Sequence, residues 1–183
     1  MTDRRQFLTG ILCFAALASP AAAHQAFKLD PKYLPRRVAL SGHTPGNIVV
    51  DPSAKFLYFV EGNDVARRYG IGVGRAGLSF SGKAIVGRKA EWPRWTPTPN
   101  MIRREPGKYA KHAGGLKGGP GNPLGARALY LHRGGQDTMY RIHGTNEPTS
   151  IGKAVSNGCI RMLNEHVIDL YDRVSIGAEV VVI

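Results

Sequence analysis

Two residues able to do nucleophilic chemistry stand 16 positions apart, His143 and Cys159, in the stretches Ile142-His143-Gly144-Thr145-Asn146 and Ser156-Asn157-Gly158-Cys159-Ile160-Arg161-Met162. A cysteine attacks carbonyls as its thiolate, and a free thiol with a pKa of ~8.5 is only a few per cent ionised at neutral pH, so it needs a base. His143 is the candidate base. The chain between the two is long enough to loop out and return, which lets imidazole and thiol meet across adjacent elements. Gly158 permits a tight turn that would aim the amides of Gly158 and Cys159 at one spot. Amides placed in that way stabilise the oxyanion of a tetrahedral intermediate by roughly 3 kcal/mol per donor. The pattern suits acyl transfer.

Each residue also has a plainer reading. A free cysteine is often an inert buried thiol, and a histidine ending a strand is often a core residue bonded to backbone. Arg161 is either a fork for a substrate carboxylate or half of an ion pair that holds the turn. Ser156 and Asn157 either shape the turn or bond the thiol and substrate amides. Trp92, Trp95 and Tyr109 line a peptide groove or pack in a core. His24, His43, His112, His132 and His166 lack the spacing of the three or four convergent ligands that zinc requires, so no metal and no cofactor is expected.

The elements that must position the pair are mostly strands. Ile48-Val49-Val50, the turn Asp51-Pro52-Ser53 and Phe56 to Val60 read as strand, turn, strand. Val65 to Gly74 alternates with period two, its even side carrying Gly70, Gly72 and Gly74, a face that other backbone can approach closely. Ala84 to Trp92 is a further strand ended by Pro93, and Trp95 to Pro99 is held extended by its prolines. Ala126 to His132 and Thr138 to His143 flank Gly134-Gly135-Gln136-Asp137 as a hairpin. Val167, Ile168, Leu170, Tyr171 and Val174 recur at helical spacing, with Asn164 or Asn157 as cap, and Val180 to Ile183 closes the chain as a strand. Residues 107–125 hold seven glycines and two prolines, read as a mobile flap over a site.

The chain has 183 residues, two cysteines and a net charge of +12. One domain is the default at that length. Arg4 and Arg5, an apolar run from Phe7 to Ala18 and Ala21-Ala22-Ala23 have the form of an export signal over residues 1–23. Asp3-Arg4-Arg5-Gln6-Phe7-Leu8 is similar to the twin-arginine type. The apolar run is too short for a stable span, so no membrane anchor is expected. Cleavage removes Cys13 and leaves Cys159 as the lone thiol, with a mature charge of +11. Residues 24–46, rich in proline, read as an extended arm, and residues 47–183 as the catalytic domain.

The His143 and Cys159 blocks, together with Trp95 to Met101 and Asn122 to Leu131, resemble the L,D-transpeptidase catalytic domain, the YkuD-like family, over residues 48–183. That family carries a histidine, a gap, then Ser/Thr-His-Gly-Cys, a hydrophobic residue and Asn or Arg. His143, Ser156, Gly158, Cys159, Ile160 and Arg161 match, and Asn157 replaces the more usual second histidine. The resemblance implies a mainly β fold, a mixed β-sandwich with one helix after the cysteine. It implies that Cys159 attacks the carbonyl of the third residue of a peptidoglycan stem tetrapeptide and expels D-Ala. His143 moves the proton, and the Gly144 carbonyl orients the imidazole. The acyl group then passes to a stem amine, an outer-membrane protein amine or water, in the periplasm. Lys and Arg clusters at 36–37, 67–68, 88–89 and 103–104 have no accompanying nucleic-acid motif, and export argues against that partner. A non-catalytic, basic wall-binding module is the alternative.

Overall fold

The computed structural model describes residues 27–183; the export signal expected over 1–23 lies outside them. A 3-10 turn (Pro31–Tyr33) leads into strand β1 (Arg36–Ala39), so the expected arm contributes an edge strand to the sheet. Then follow β2 (Ile48–Asp51), β3 (Phe56–Gly62), β4 (Val65–Gly70), β5 (Val73–Gly74) and β6 (Gly82–Glu91). Two short helices, α1 (Pro99–Arg104) and α2 (Pro106–Tyr109), precede the hairpin of β7 (Arg127–Arg133) and β8 (Gln136–His143). The chain closes with β9 (Ala154–Ser156), β10 (Ile160–Arg161), α3 (Asn164–Arg173) and β11 (Glu179–Val182).

Among the described residues nine strands form one mixed sheet in the order β1-β4-β3-β2-β11-β6-β7-β8-β10, and β5 pairs with β9 in a separate ribbon. The last strand enters the middle, parallel to β2 and antiparallel to β6. Gly134 and Gly135, at φ of 57° and 78°, make the two-residue turn of the β7–β8 hairpin, the left-handed pair that matches strand twist. The two ends of the sheet meet, because Gly72, just past β4, and Arg161 of β10 exchange backbone hydrogen bonds of 2.9 and 2.8 Å. The curled sheet thus encloses one core in which Tyr69 and Ile71 from one end share a cluster with Ile142 and Ile160 from the other. This is the mainly β sandwich that the sequence implied.

The bond to Arg161 also interrupts the strand expected over 65–74, which divides into β4 and β5. Its glycine face is used as anticipated. A side chain at Gly70 would strike Tyr33, one at Gly72 the Ser150 carbonyl, and one at Gly74 the backbone of Gly158 in the cysteine turn.

Helix α3 buries Val167 and Leu170 against β7 and β8. Neither expected cap serves it. Leu163 holds the cap position without a side-chain bond, Asn164 begins the helix and accepts from the Ala126 amide at 3.0 Å, and Asn157 lies in the cysteine turn. At the other end Lys89 Nζ donates to the Tyr171 and Val174 carbonyls at 2.5 and 2.7 Å, where a cation complements the helix dipole.

The flap expected over 107–125 is folded. Its start belongs to α2, and Trp95 and Leu116 pair as an isolated bridge. Asn122, 2% exposed, donates to the carbonyls of Pro93, Leu116 and Lys117 and accepts from the Leu124 amide. One buried amide side chain thereby satisfies four backbone groups of a segment with little core of its own. Asn122→Ala is expected to cost about 2–4 kcal/mol in urea unfolding and to open Lys108, Lys111 and Lys117 to trypsin. An unchanged midpoint with unchanged cutting would show that the segment is held by other means.

Candidate active site

Strand β10 lies parallel beside β8, with Ile160 opposite Ile142 and Arg161 opposite His143. Cys159, one residue before β10, therefore falls beside Arg141, on the face that Arg141 and His143 share by the period of two. The diagonal between cysteine and histidine is of the order of 7–8 Å between backbones, within reach of the two side chains. His143 is buried, and its Nδ1 lies 2.5 Å from the Gly144 carbonyl oxygen. An oxygen of that kind only accepts, so Nδ1 carries the proton and Nε2 keeps its lone pair.

Burial pushes the His143 pKa down to about 4, against the Gly144 carbonyl, and the Arg161 and Arg141 guanidiniums push it the same way. Burial pushes the Cys159 thiol above its ordinary 9.0, although the Arg141 amide and the same two arginines favour the thiolate. Both shifts have one sign in their effect: the resting pair is neutral thiol and neutral imidazole. A separated thiolate and imidazolium would need two desolvated charges.

The cysteine turn is held from within. Ser156, buried, donates from Oγ to the Cys159 carbonyl at 2.6 Å and accepts from the Gly158 amide at 3.1 Å. The Gly158 amide is therefore engaged inside the turn and not aimed outward with that of Cys159, because the hydroxyl reaches it first. Gly158 sits at φ 125°, and a side chain there would meet the Leu78 carbonyl and the Tyr140 ring. Across the β7–β8 pairing the register shifts between Tyr130 and His132, and Met139 takes φ 64°, with its carbonyl 4.0 Å from Cys159 Sγ.

Cys159 is half-buried and opens on a cleft of about 670 Å³ walled by Leu78, Trp95, Met101, Tyr130 and Tyr140. Trp95 lines it as expected, while Tyr109 is buried in the helical segment and Trp92 is exposed outside it. Asn157 ties the cysteine turn to that segment. It donates to Tyr109 Oη at 2.9 Å and accepts from Arg75 at 3.0 Å and Arg104 at 3.2 Å, and Arg75 also pairs with Glu105 at 2.9 Å. Arg161 pairs with Glu147 at 2.6 Å, so of its two readings the ion pair is the one formed. Sequence reasoning missed Arg141 and Tyr140; the period of two back from His143 was the signal for Arg141. No group of three metal-binding side chains occurs among the described residues.

The site thus sets a half-buried thiol beside an oriented imidazole at the wall of a cleft on a curled mixed sheet. The family model for the L,D-transpeptidase catalytic domain, YkuD, matches residues 45–183, and the chain belongs to that family. The Escherichia coli protein named "Probable L,D-transpeptidase ErfK/SrfK" is 38% identical over 157 residues, covering 82% of this chain and 48% of the relative. The chain thus spans about half the length of the curated relatives it matches. A Brucella melitensis crystal structure described as a probable carnitine operon oxidoreductase is 57% identical, with a TM-score of 0.59, over 85% of this chain and 96% of that one. An L,D-transpeptidase structure from Mycobacterium smegmatis, 21% identical with a TM-score of 0.54 over 74% of this chain and 57% of its own, shares the fold.

A neutral resting pair has a spectroscopic consequence. The 240 nm thiolate absorbance, taken as the difference from Cys159→Ala, is expected to stay near zero at neutral pH and to rise in one step at or above pH 9.0. A thiolate band already present at neutral pH would contradict the burial argument.

Proposed function

We propose that this chain is an exported cysteine acyltransferase, an L,D-transpeptidase that remodels peptidoglycan in the periplasm. Cys159 Sγ bonds to the carbonyl carbon of the third residue of a stem tetrapeptide, and the bond to the D-Ala nitrogen breaks. The thiol proton moves to His143 Nε2 as the sulfur attacks, and from there to the departing D-Ala amine. The thioester then passes to an acceptor amine, which gives a 3-3 crosslink or attachment to an outer-membrane protein, or to water, which gives L,D-carboxypeptidase activity. Sγ leaves as thiolate and regains its proton through the same imidazole. Gly144 holds the imidazole in the productive tautomer, and Ser156 and Gly158 set the turn that presents the sulfur.

The observation that carries this reading is the β8–β10 register, which sets Cys159 and the oriented His143 on one face of adjacent strands. Family membership over residues 45–183 supports it. The word oxidoreductase attached to the Brucella relative draws no support from a constellation suited to moving a proton to and from a nucleophile. A basic module that only binds wall would need neither the oriented imidazole nor the half-buried thiol at the cleft. No helix among the described residues is long and apolar enough to cross a membrane.

Incubation with a stem tetrapeptide or a carbapenem is expected to add an acyl mass to the protein, and Cys159→Ala to abolish that adduct. An adduct on the Ala variant would move the nucleophile elsewhere. Because His143 acts as base only when unprotonated and its pKa lies at about 4, the acylation rate is expected to be flat between roughly pH 5 and 8 and to fall below that. An acid limb centred near the ordinary imidazole value of 6.5 would overturn the assignment.

A further inference from the structure

The cleft beside Cys159 is lined by four arginines, Arg88, Arg94, Arg104 and Arg141, and by no acidic side chain. Three of the four are already engaged. Arg141 makes a two-pronged pair with Asp137 at 2.6 and 2.7 Å, Arg104 donates to Asn157, and Arg94 donates to the Gly114 carbonyl. Arg88 is exposed and has no hydrogen bond or ion pair among the described residues; its guanidinium lies 3.4 Å from the centroid of the Tyr130 ring. Tyr130 also carries Arg141, at 4.2 Å. A row therefore runs across β6, β7 and β8 to the residue before β10, Arg88, Tyr130, Arg141 and then Cys159, with only the first member's charge uncommitted.

Arg88 reaches this row through a local irregularity. Val86 pairs with Leu131, and the next pair is Arg88 with Tyr130, so Gly87 is the extra residue of a β-bulge. In regular register Arg88 would sit opposite Leu129, a core residue, and its charge would point into the core. The bulge changes the phase. It sends Arg88 to the cleft and Lys89 toward the end of α3, where Lys89 bonds two carbonyls. Only glycine fits the bulge, since a side chain at position 87 would lie 2.3 Å from the His132 ring. Bulges next to active sites commonly serve to re-aim one side chain.

Three strand spacings of ~4.8 Å put Arg88 on the order of 14 Å from Cys159 along the backbone. An arginine and a substrate side chain extended toward each other span that distance. Resting on the transpeptidase reading above, we infer that Arg88 is a specificity-determining residue that takes a free carboxylate of the donor stem peptide about one side chain away from the scissile carbonyl. The flat guanidinium, held by the Tyr130 ring, matches a carboxylate bidentately. A carboxamide at the same position would offer no charge and one acceptor fewer. Two donor carboxylates have this chemistry, that of the third-residue side chain when it is diaminopimelate and that of the second-residue D-glutamate.

The test compares three synthetic tetrapeptides with the full chain: both carboxylates free, the third-residue side chain amidated, and the D-glutamate amidated. Release of D-Ala gives kcat/KM for each, and the acid-to-amide ratio within one protein cancels any general loss of activity. Wild type is expected to prefer the free acid by roughly tenfold to a hundredfold against one amidated peptide, which identifies the carboxylate. Arg88→Gln is expected to bring that ratio to about one, and Arg88→Lys to restore part of it. Equal turnover of all three peptides by wild type, or an unchanged ratio in Arg88→Gln, overturns the subsite while the transpeptidase reading stands. Turnover of none of them by wild type fells that reading and the subsite with it.

Discussion

The parallel pairing of β10 with β8 is the constraint on which the site depends. Only two residue pairs make it, yet it carries Cys159 back beside the strand that ends in His143. So short a strand at the edge of a sheet would not hold alone. Its second edge is bonded to Gly72, which belongs to the far end of the same sheet. Closing the sheet and bringing Cys159 beside His143 are therefore one event. The glycines at 72 and 74 belong to that event, because a side chain at either would keep the two ends apart.

Burial then decides the protonation of the pair. His143 is enclosed and flanked by guanidiniums, and burial outweighs the Gly144 and Leu124 backbone groups that favour its protonated form, so it remains neutral over the ordinary pH range. The thiol is likewise held neutral. Such a pair avoids holding separated charges in a desolvated site. The nearby charge is arranged to leave this undisturbed: Arg141 is matched by Asp137 and Arg161 by Glu147.

The meeting of His143 and Cys159 across adjacent elements, the hairpin, the closing strand and the long helix were all legible from residue types and periods. What escaped was set by side-chain to backbone contacts and by register, which residue types alone do not specify. The 107–125 segment reads as loose because its glycines and prolines have no period, but Asn122 ties it together by bonding the Pro93, Leu116 and Lys117 carbonyls and the Leu124 amide. The helix cap was misplaced because Asn164 satisfies the Ala126 amide instead, and the Gly158 amide could not be assigned without knowing where the Ser156 hydroxyl lies. The two bulges were invisible for a further reason. Alternation of residue types predicts the face of a side chain only while the register is regular, and in both places it is not.

Those irregularities fall on the strands that floor the cleft. Three adjacent strands, β6, β7 and β8, carry regular apolar alternation where they face the core, and lose register where they face the cysteine. The bulge at Gly87 turns a cation outward, and the one around Met139 brings a carbonyl to the sulfur. Each departs from the ladder that a regular sheet would keep, and the first also sends Lys89 to the end of α3. Two neighbouring irregularities, the ones along the β6–β7–β8 pairings, thus put polar groups on the cleft face, the position at which bulges commonly re-aim a side chain.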